Sequence, residues 1–345
     1  MADNDRRQFL GAAALGAAAG MLAAEPALAG TPTTATAPAP PGPLPVMGPI
    51  RQVRAGVLDV AYYEAGPRDG KPVLLLHGFP YDIHSYVDVA PMLAAQGCRV
   101  IVPYLRGYGA TRFLDAATPR SGEQAAMGAD AIALMDALGI KKAVVAGFDW
   151  GGRGAAIAAV LWPERVKGLV CIGGYPIIDA SRAMIPGAPR QEAAGWYQFY
   201  FHSERGERGL AANRRELTRL LWTQWSPNWR FDDATFERTA AAFDNPDFVA
   251  VVIHSYRHRF GLVPGDPRYA ELQRRLDALP PVTVPAITLG AGGDGVAPAG
   301  NAVPSPTKFT GPRIHRLVPT AGHNLPQEAP QAFAEAVLEL ANRPG

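Results

Sequence analysis

The sequence predicts an α/β fold built on a mostly parallel central sheet, with helices on both faces and a helical lid inserted. Three observations carry this expectation. Short, unbroken apolar runs bounded by Gly or Pro recur at residues 73–76, 100–102, 143–146 and 169–172, as strands buried on both faces require. Helix-like stretches lie between them, such as 124–138, closed by Gly139, a residue suited to the position just past a helix end. After Asp179 the buried-strand pattern gives way to a stretch rich in Arg, Trp and Tyr with helical spacing, and it resumes only at 284–289 and 314–318.

Taken in order, the chain begins outside the fold. Arg6-Arg7-Gln8-Phe9-Leu10 resembles a twin-arginine export motif, an Ala/Gly/Leu-rich stretch follows to residue 24, and Ala27-Leu28-Ala29 supplies an A-x-A cleavage site. Residues 1–29 are therefore expected to be a signal peptide, with the periplasm as address and no membrane anchor after cleavage. Residues 30–49 are rich in Thr, Ala and Pro and read as a tether too poor in apolar surface to order itself. Residues 50–178 form the first part of the core, opening with the alternating strand 58–62. Residues 179–279 form the lid, and residues 280–345 complete the core. There Phe333, Val337 and Leu340 share one face of a last helix.

Composition narrows the function. The 345 residues are 48% hydrophobic and carry a net charge of +2, enough to bury a full core and without a basic stripe for nucleic acid. Cys98 and Cys171 each sit beside an apolar run and read as buried thiols. The expected partner is a small-molecule substrate, with no cofactor and no metal. Oligomeric state is not legible.

The chemistry begins at Gly147-Phe148-Asp149-Trp150-Gly151, between a buried strand and a helix. This is the G-x-S-x-G nucleophile turn with Asp in place of Ser; no G-x-S-x-G occurs in the chain, which disfavours a serine esterase. His77-Gly78-Phe79-Pro80 follows the strand 73–76, so the amides of Phe79 and Trp150 are the candidate oxyanion donors. Gly322-His323-Asn324 follows the last strand, and Asp294 lies between nucleophile and histidine. That order of nucleophile, acid and base suits the fold, with Asp294 orienting His323. Asp179 is the weighed competitor for the acid, but it lies too far into the lid. His77, Pro80 and Arg153 are expected to contact substrate.

An aspartate nucleophile restricts the substrate. Attack on an acyl carbon would give an anhydride, whereas attack on a saturated carbon gives an alkyl ester that His-activated water can hydrolyse. An sp3 carbon bearing an epoxide oxygen or a halide meets this requirement. A catalytically idle binding protein is the reading from another class, and the complete triad argues against it.

At these residues the sequence resembles the epoxide hydrolases of the α/β-hydrolase superfamily, across residues 51–342. The motifs are HGFP at 77–80, RGYG at 106–109, GFDWGG at 147–152, PERV at 163–166 and GHN at 322–324, most of them shared with haloalkane dehalogenases. The resemblance implies two lid tyrosines that protonate the epoxide oxygen. Tyr197, in Tyr197-Gln198-Phe199-Tyr200-Phe201, and Tyr256, in Tyr256-Arg257, match them, with Tyr200 a nearby alternative to the first. A dehalogenase with the same Asp-His-Asp set is the alternative. Fluoroacetate dehalogenases carry an arginine where this chain has Arg153, but also one at the position of Trp150. A two-arginine clamp from this turn is therefore not expected, and Arg153 is expected to pair with an acid beneath the lid.

Overall fold

The computed structural model describes residues 46–296 and 306–344. The export motif, the cleavage site and the tether up to residue 45 lie outside the described residues. Nine strands form one sheet: β1 (Ile50–Ala55), β2 (Leu58–Ala65), β3 (Lys71–Leu76), β4 (Cys98–Pro103), β5 (Arg112–Phe113), β6 (Ala143–Gly147), β7 (Val166–Ile172), β8 (Ala286–Ala291) and β9 (Arg313–Val318). Their order is β1-β2-β4-β3-β6-β7-β8-β9, with the two-residue β5 attached to β2. β2 pairs antiparallel with β1, β4 and β5, and from β4 to β9 all pairing is parallel.

Alternation along the strands builds two cores. Val73, Leu75, Val144 and Ala146 face one side of the sheet, and Leu74, Leu76, Val145 and Leu169 face the other, as the period of two dictates. Helices α1 (Val89–Ala95), α2 (Gln124–Ala137) and α3 (Asp149–Leu161) follow β3, β5 and β6 respectively. Ala125, Met135 and Ile157 of α2 and α3 fill the second core.

Between β7 and β8 lie α4 (Pro189–Ala194), α5 (Trp196–His202), α6 (Glu204–Ala212), α7 (Arg214–Trp225), α8 (Asp233–Ala240), α9 (Phe248–His258) and α10 (Ala270–Asp277), and no strand among the described residues. Their buried faces, including Tyr197, Phe201, Trp222, Trp225 and Tyr256, join the first core. The chain ends in α11 (Leu325–Glu328) and α12 (Pro330–Asn342), whose Phe333, Val337 and Leu340 are fully buried.

One local difference from the sequence reading has a simple cause. The strand expected at 284–289 begins at Ala286, because Pro285 has no N–H to give a ladder. Arg106 of RGYG is buried and structural: it holds Asp130 of α2 through two 2.7 Å hydrogen bonds and also binds the Ser121 carbonyl. Cys98 and Cys171 are free and buried.

The strand order reverses at β3 and β6. From β3 the chain runs outward to β4, and it returns to place β6 on the other side. The carboxyl ends of these two strands therefore border a crevice that no crossover covers, the place where ligands bind in open α/β sheets. HGFP leaves one strand there and Asp149 the other.

Candidate active site

Asp149 sits at φ 49°, one of two non-glycine residues in the left-handed region among the described residues. That conformation is costly for a residue with a Cβ and persists only where its surroundings impose it. Here the turn from β6 into α3 imposes it, and it lifts the carboxylate out of the sheet. The neighbouring backbone packs too closely for side chains. A Cβ on Gly78 would lie 2.5 Å from the Asp149 Cβ, and one on Gly151 would lie 1.9 Å from the Leu76 carbonyl oxygen.

The two oxygens of Asp149 have different partners. The Phe79 amide donates to Oδ1 at 2.8 Å, while Oδ2 stands 3.6 Å from His323 Nε2. His323 Nδ1 lies 2.8 Å from Asp294 Oδ2, and the other Asp294 oxygen accepts from the Val296 amide at 2.8 Å. The structure thus brings Asp149, His323 and Asp294 into one line. Asp179 takes no part: its side chain accepts from the amide and hydroxyl of Ser181.

Burial alone would favour the neutral form of both members of the central pair. Against it, the carboxylates of Asp294 and Asp149 raise His323 to about 10. Reciprocally, the His323 imidazolium 3.6 Å away, the charge of Arg153 and the Phe79 amide hold Asp149 below its ordinary range despite its burial. At neutral pH the resting pair is therefore carboxylate and imidazolium.

Above this pair, Tyr197 from α5 and Tyr256 from α9 meet with ring centroids 5.4 Å apart. Burial raises both phenols above their ordinary value, and the Asp149 charge pushes the same way, so both stay protonated. Tyr200 is half-buried and turned toward Trp196. Trp150 is buried against Phe79 and Tyr256. Its amide lies in the first turn of α3, where N–H groups have no intrahelical acceptor.

His77 spends both ring nitrogens inside the protein. Nε2 accepts from the Leu105 amide at 3.1 Å, which leaves Nδ1–H to donate to the Gly78 carbonyl at 3.0 Å. Burial lowers it to about 4, so it is a neutral brace for the loop that carries Phe79. Pro80 is buried, and its carbonyl accepts from Trp222 Nε1 at 2.8 Å, tying the same loop to α7. Arg153 departs from expectation. It pairs with no carboxylate among the described residues; its Nε donates to the Pro176 carbonyl at 3.1 Å, and its buried Nη1 has no acceptor.

The sequence reading passed over the groups that hold the His323 loop. Glu328 accepts from the Gly322 amide (2.7 Å), the Asn324 amide (3.1 Å) and the Ser226 hydroxyl (2.7 Å). Ser226 in turn accepts from the His323 amide at 3.0 Å. Trp225 packs on the His323 ring at 4.8 Å and on Tyr197 at 4.9 Å. The only local hint was an acid five residues after the histidine, a spacing common to countless surface helices. A separate recess of about 670 Å3 is lined by residues that include Gln198, Phe199, Arg259 and Leu262.

The comparisons agree with this architecture. A family model described as alpha/beta hydrolase fold matches residues 71–330. A solved structure of a candidate epoxide hydrolase from Klebsiella pneumoniae is 52% identical with a TM-score of 0.82, covering 85% of this chain and 97% of that one. Epoxide hydrolase B of Mycobacterium tuberculosis is 34% identical over 155 residues, 40% of this chain and 42% of that protein, so the match spans less than half of that relative. A haloalkane dehalogenase of Psychrobacter cryohalolentis is 24% identical over 82% of this chain and 87% of its own length.

Proposed function

Because the chain belongs to the alpha/beta hydrolase fold family, we propose that it opens an epoxide to a vicinal diol through an alkyl ester on Asp149. One observation supports this reading: Oδ1 is already held by the Phe79 amide, while Oδ2 has only His323 Nε2 near it, at 3.6 Å, in a site whose charge also acts on two buried phenols. Similarity to epoxide hydrolases supports it.

In the first half-reaction Asp149 Oδ2 attacks one epoxide carbon, and the breaking C–O bond takes its proton from Tyr197 or Tyr256. An alkoxide leaves badly, so this proton lowers the barrier. Ester formation removes the Asp149 charge that helped to raise His323. The imidazolium then gives its proton to the tyrosinate and becomes a base. In the second half-reaction His323, oriented by Asp294, deprotonates water as it attacks the ester carbonyl. The oxyanion forms on Oδ1, where the Phe79 amide already points, with the Trp150 amide as second donor. Collapse expels the alcohol, which takes the acid proton, and the carboxylate–imidazolium pair is restored.

A second reading, dehalogenation by the same three residues, has one observation in its favour. The indole N–H groups of Trp150 and Trp225 are buried without acceptors, and such donors suit a departing halide. Turnover of purified protein against epoxides and alkyl halides, scored for diol and halide, decides between the two. Diol without halide release is the expected result. Export through the Arg6-Arg7 motif belongs to the same proposal.

A further inference from the structure

Ring opening moves a negative charge, and the structure holds a cation at each end of its path. As the bond from Asp149 Oδ2 to carbon forms and the epoxide carbon–oxygen bond breaks, a phenol proton passes to the epoxide oxygen. The charge thus leaves a carboxylate and ends on a tyrosinate. Arg153, one turn along α3, acts on the carboxylate end. At the other end stands Arg259, just past α9, whose guanidinium lies 4.2 Å over the ring of Tyr256.

Arg259 forms no ion pair among the described residues; its Nη2 reaches Ser255 Oγ at 3.5 Å, and its Nε is buried without an acceptor. Its neighbour Arg257, the arginine of the Tyr-Arg segment, is occupied elsewhere. It pairs with Glu207 of α6 at 3.0 Å and donates to the His202 and Ser203 carbonyls, each at 3.2 Å. Spacing explains the difference. Residues three apart on a helix share a face, whereas adjacent ones do not, so Arg259 covers Tyr256 and Arg257 turns to α6. A carboxylate paired with Arg259 would cancel the field that reaches the phenol, and the ring stands in its place.

Burial is the largest influence on Tyr256 and Tyr197 and keeps both protonated, and the Arg259 charge works against it at each. Tyr197, Asp149 and Tyr108 also oppose ionisation of Tyr256. The Asp149 share of that opposition vanishes when the ester forms, which leaves Arg259 facing the new anion, with Arg153 adding to its field from α3.

We propose that Arg259 is a positioning residue of the ring-opening step: stacked on Tyr256, it holds the negative charge that this phenol takes on when its proton leaves for the epoxide oxygen. The proposal rests on the epoxide-opening reading and selects Tyr256 as the proton donor, with Tyr197 as a hydrogen-bond donor to the same oxygen.

A double-mutant cycle separates this role from packing. Arg259→Met should lower kcat/KM for styrene oxide by about ten- to a hundredfold, because an opposite charge this close favours the ionised phenol by at least about tenfold. In Tyr256→Phe the ring still packs against residue 259 but cannot ionise, so there Arg259→Met should cost less than about threefold. Arg259→Lys, which keeps the charge, should recover part of the loss, with unchanged thermal midpoints certifying each fold. A second readout needs no turnover. With Tyr256 replaced by a trifluorinated tyrosine, whose phenol is more acidic, the fluorine resonance should titrate about one pH unit higher in Arg259→Met. Equal losses in the Tyr256 and Phe backgrounds, or an unmoved fluorine midpoint, overturns the role of Arg259 and leaves the epoxide reading standing. Tyr256→Phe opening styrene oxide at the parental rate overturns instead the reading of Tyr256 as donor, and this proposal falls with it.

Discussion

Replacing His323 by Gln should separate the two halves of the proposed reaction, because attack and hydrolysis use different parts of the site. Attack by Asp149 Oδ2 relies on the turn that lifts the carboxylate and on the Phe79 amide at 2.8 Å, neither of which includes His323. Hydrolysis relies on an imidazole 3.6 Å from Oδ2 and 2.8 Å from Asp294. Loss of a general base costs about 10²–10⁴ in rate. A parent turning over at the ordinary ~10 s⁻¹ would then hydrolyse its ester at roughly 0.1–0.001 s⁻¹ in the variant. The adduct survives for seconds to minutes, long enough for acid quench and intact-mass measurement. The variant also loses the imidazolium that helps to keep Asp149 ionised, so the experiment belongs at mildly alkaline pH. We expect a mass increase equal to one substrate, mapping to the peptide that contains Asp149. An unmodified variant, mixed with an epoxide that the parent consumes, would refute the assignment of Asp149 as nucleophile.

Tyr197→Phe and Tyr256→Phe keep the ring packing but remove the proton donors, so each should lower epoxide turnover by roughly ten- to a thousandfold. The double variant should nearly abolish ring opening while any halide turnover falls far less; parental epoxide rates in both single variants would reduce the tyrosines to packing. His323 is raised from 6.5 to about 10, so its contribution to stability is complete below pH 6.5 and is lost as pH rises toward 10. The thermal midpoint of the parent should therefore fall more between pH 7 and pH 10 than that of His323→Gln, and equal falls would show that the carboxylates do not hold the proton. Arg6→Lys combined with Arg7→Lys should leave the protein in the cytoplasm with its N-terminal segment uncleaved; normal delivery to the periplasm would dismiss the export reading.

What the sequence determined by itself was everything written locally. Runs such as Val73-Leu74-Leu75-Leu76 and Ala143-Val144-Val145-Ala146 are apolar at every position because both faces of their strands are covered, and that property needs no partner to be recognised. The turn at Asp149 was legible because its glycines answer a local steric demand at Gly78 and Gly151. The order of Asp149, Asp294 and His323 could be read because each follows a recognisable strand. Tertiary structure decided whatever depends on two distant segments meeting. Ser226 and Glu328, 102 residues apart, clamp the His323 backbone, yet neither residue carries a pattern that announces the other. His77 looked available for substrate until Leu105, 28 residues on, took its second nitrogen. Arg153 looked paired, and the fold instead set it near a second arginine from the inserted helices. Secondary structure follows from periodicity within a few residues, whereas a side chain's partner is fixed only when the sheet order and the packing of the inserted helices bring remote residues within hydrogen-bonding distance.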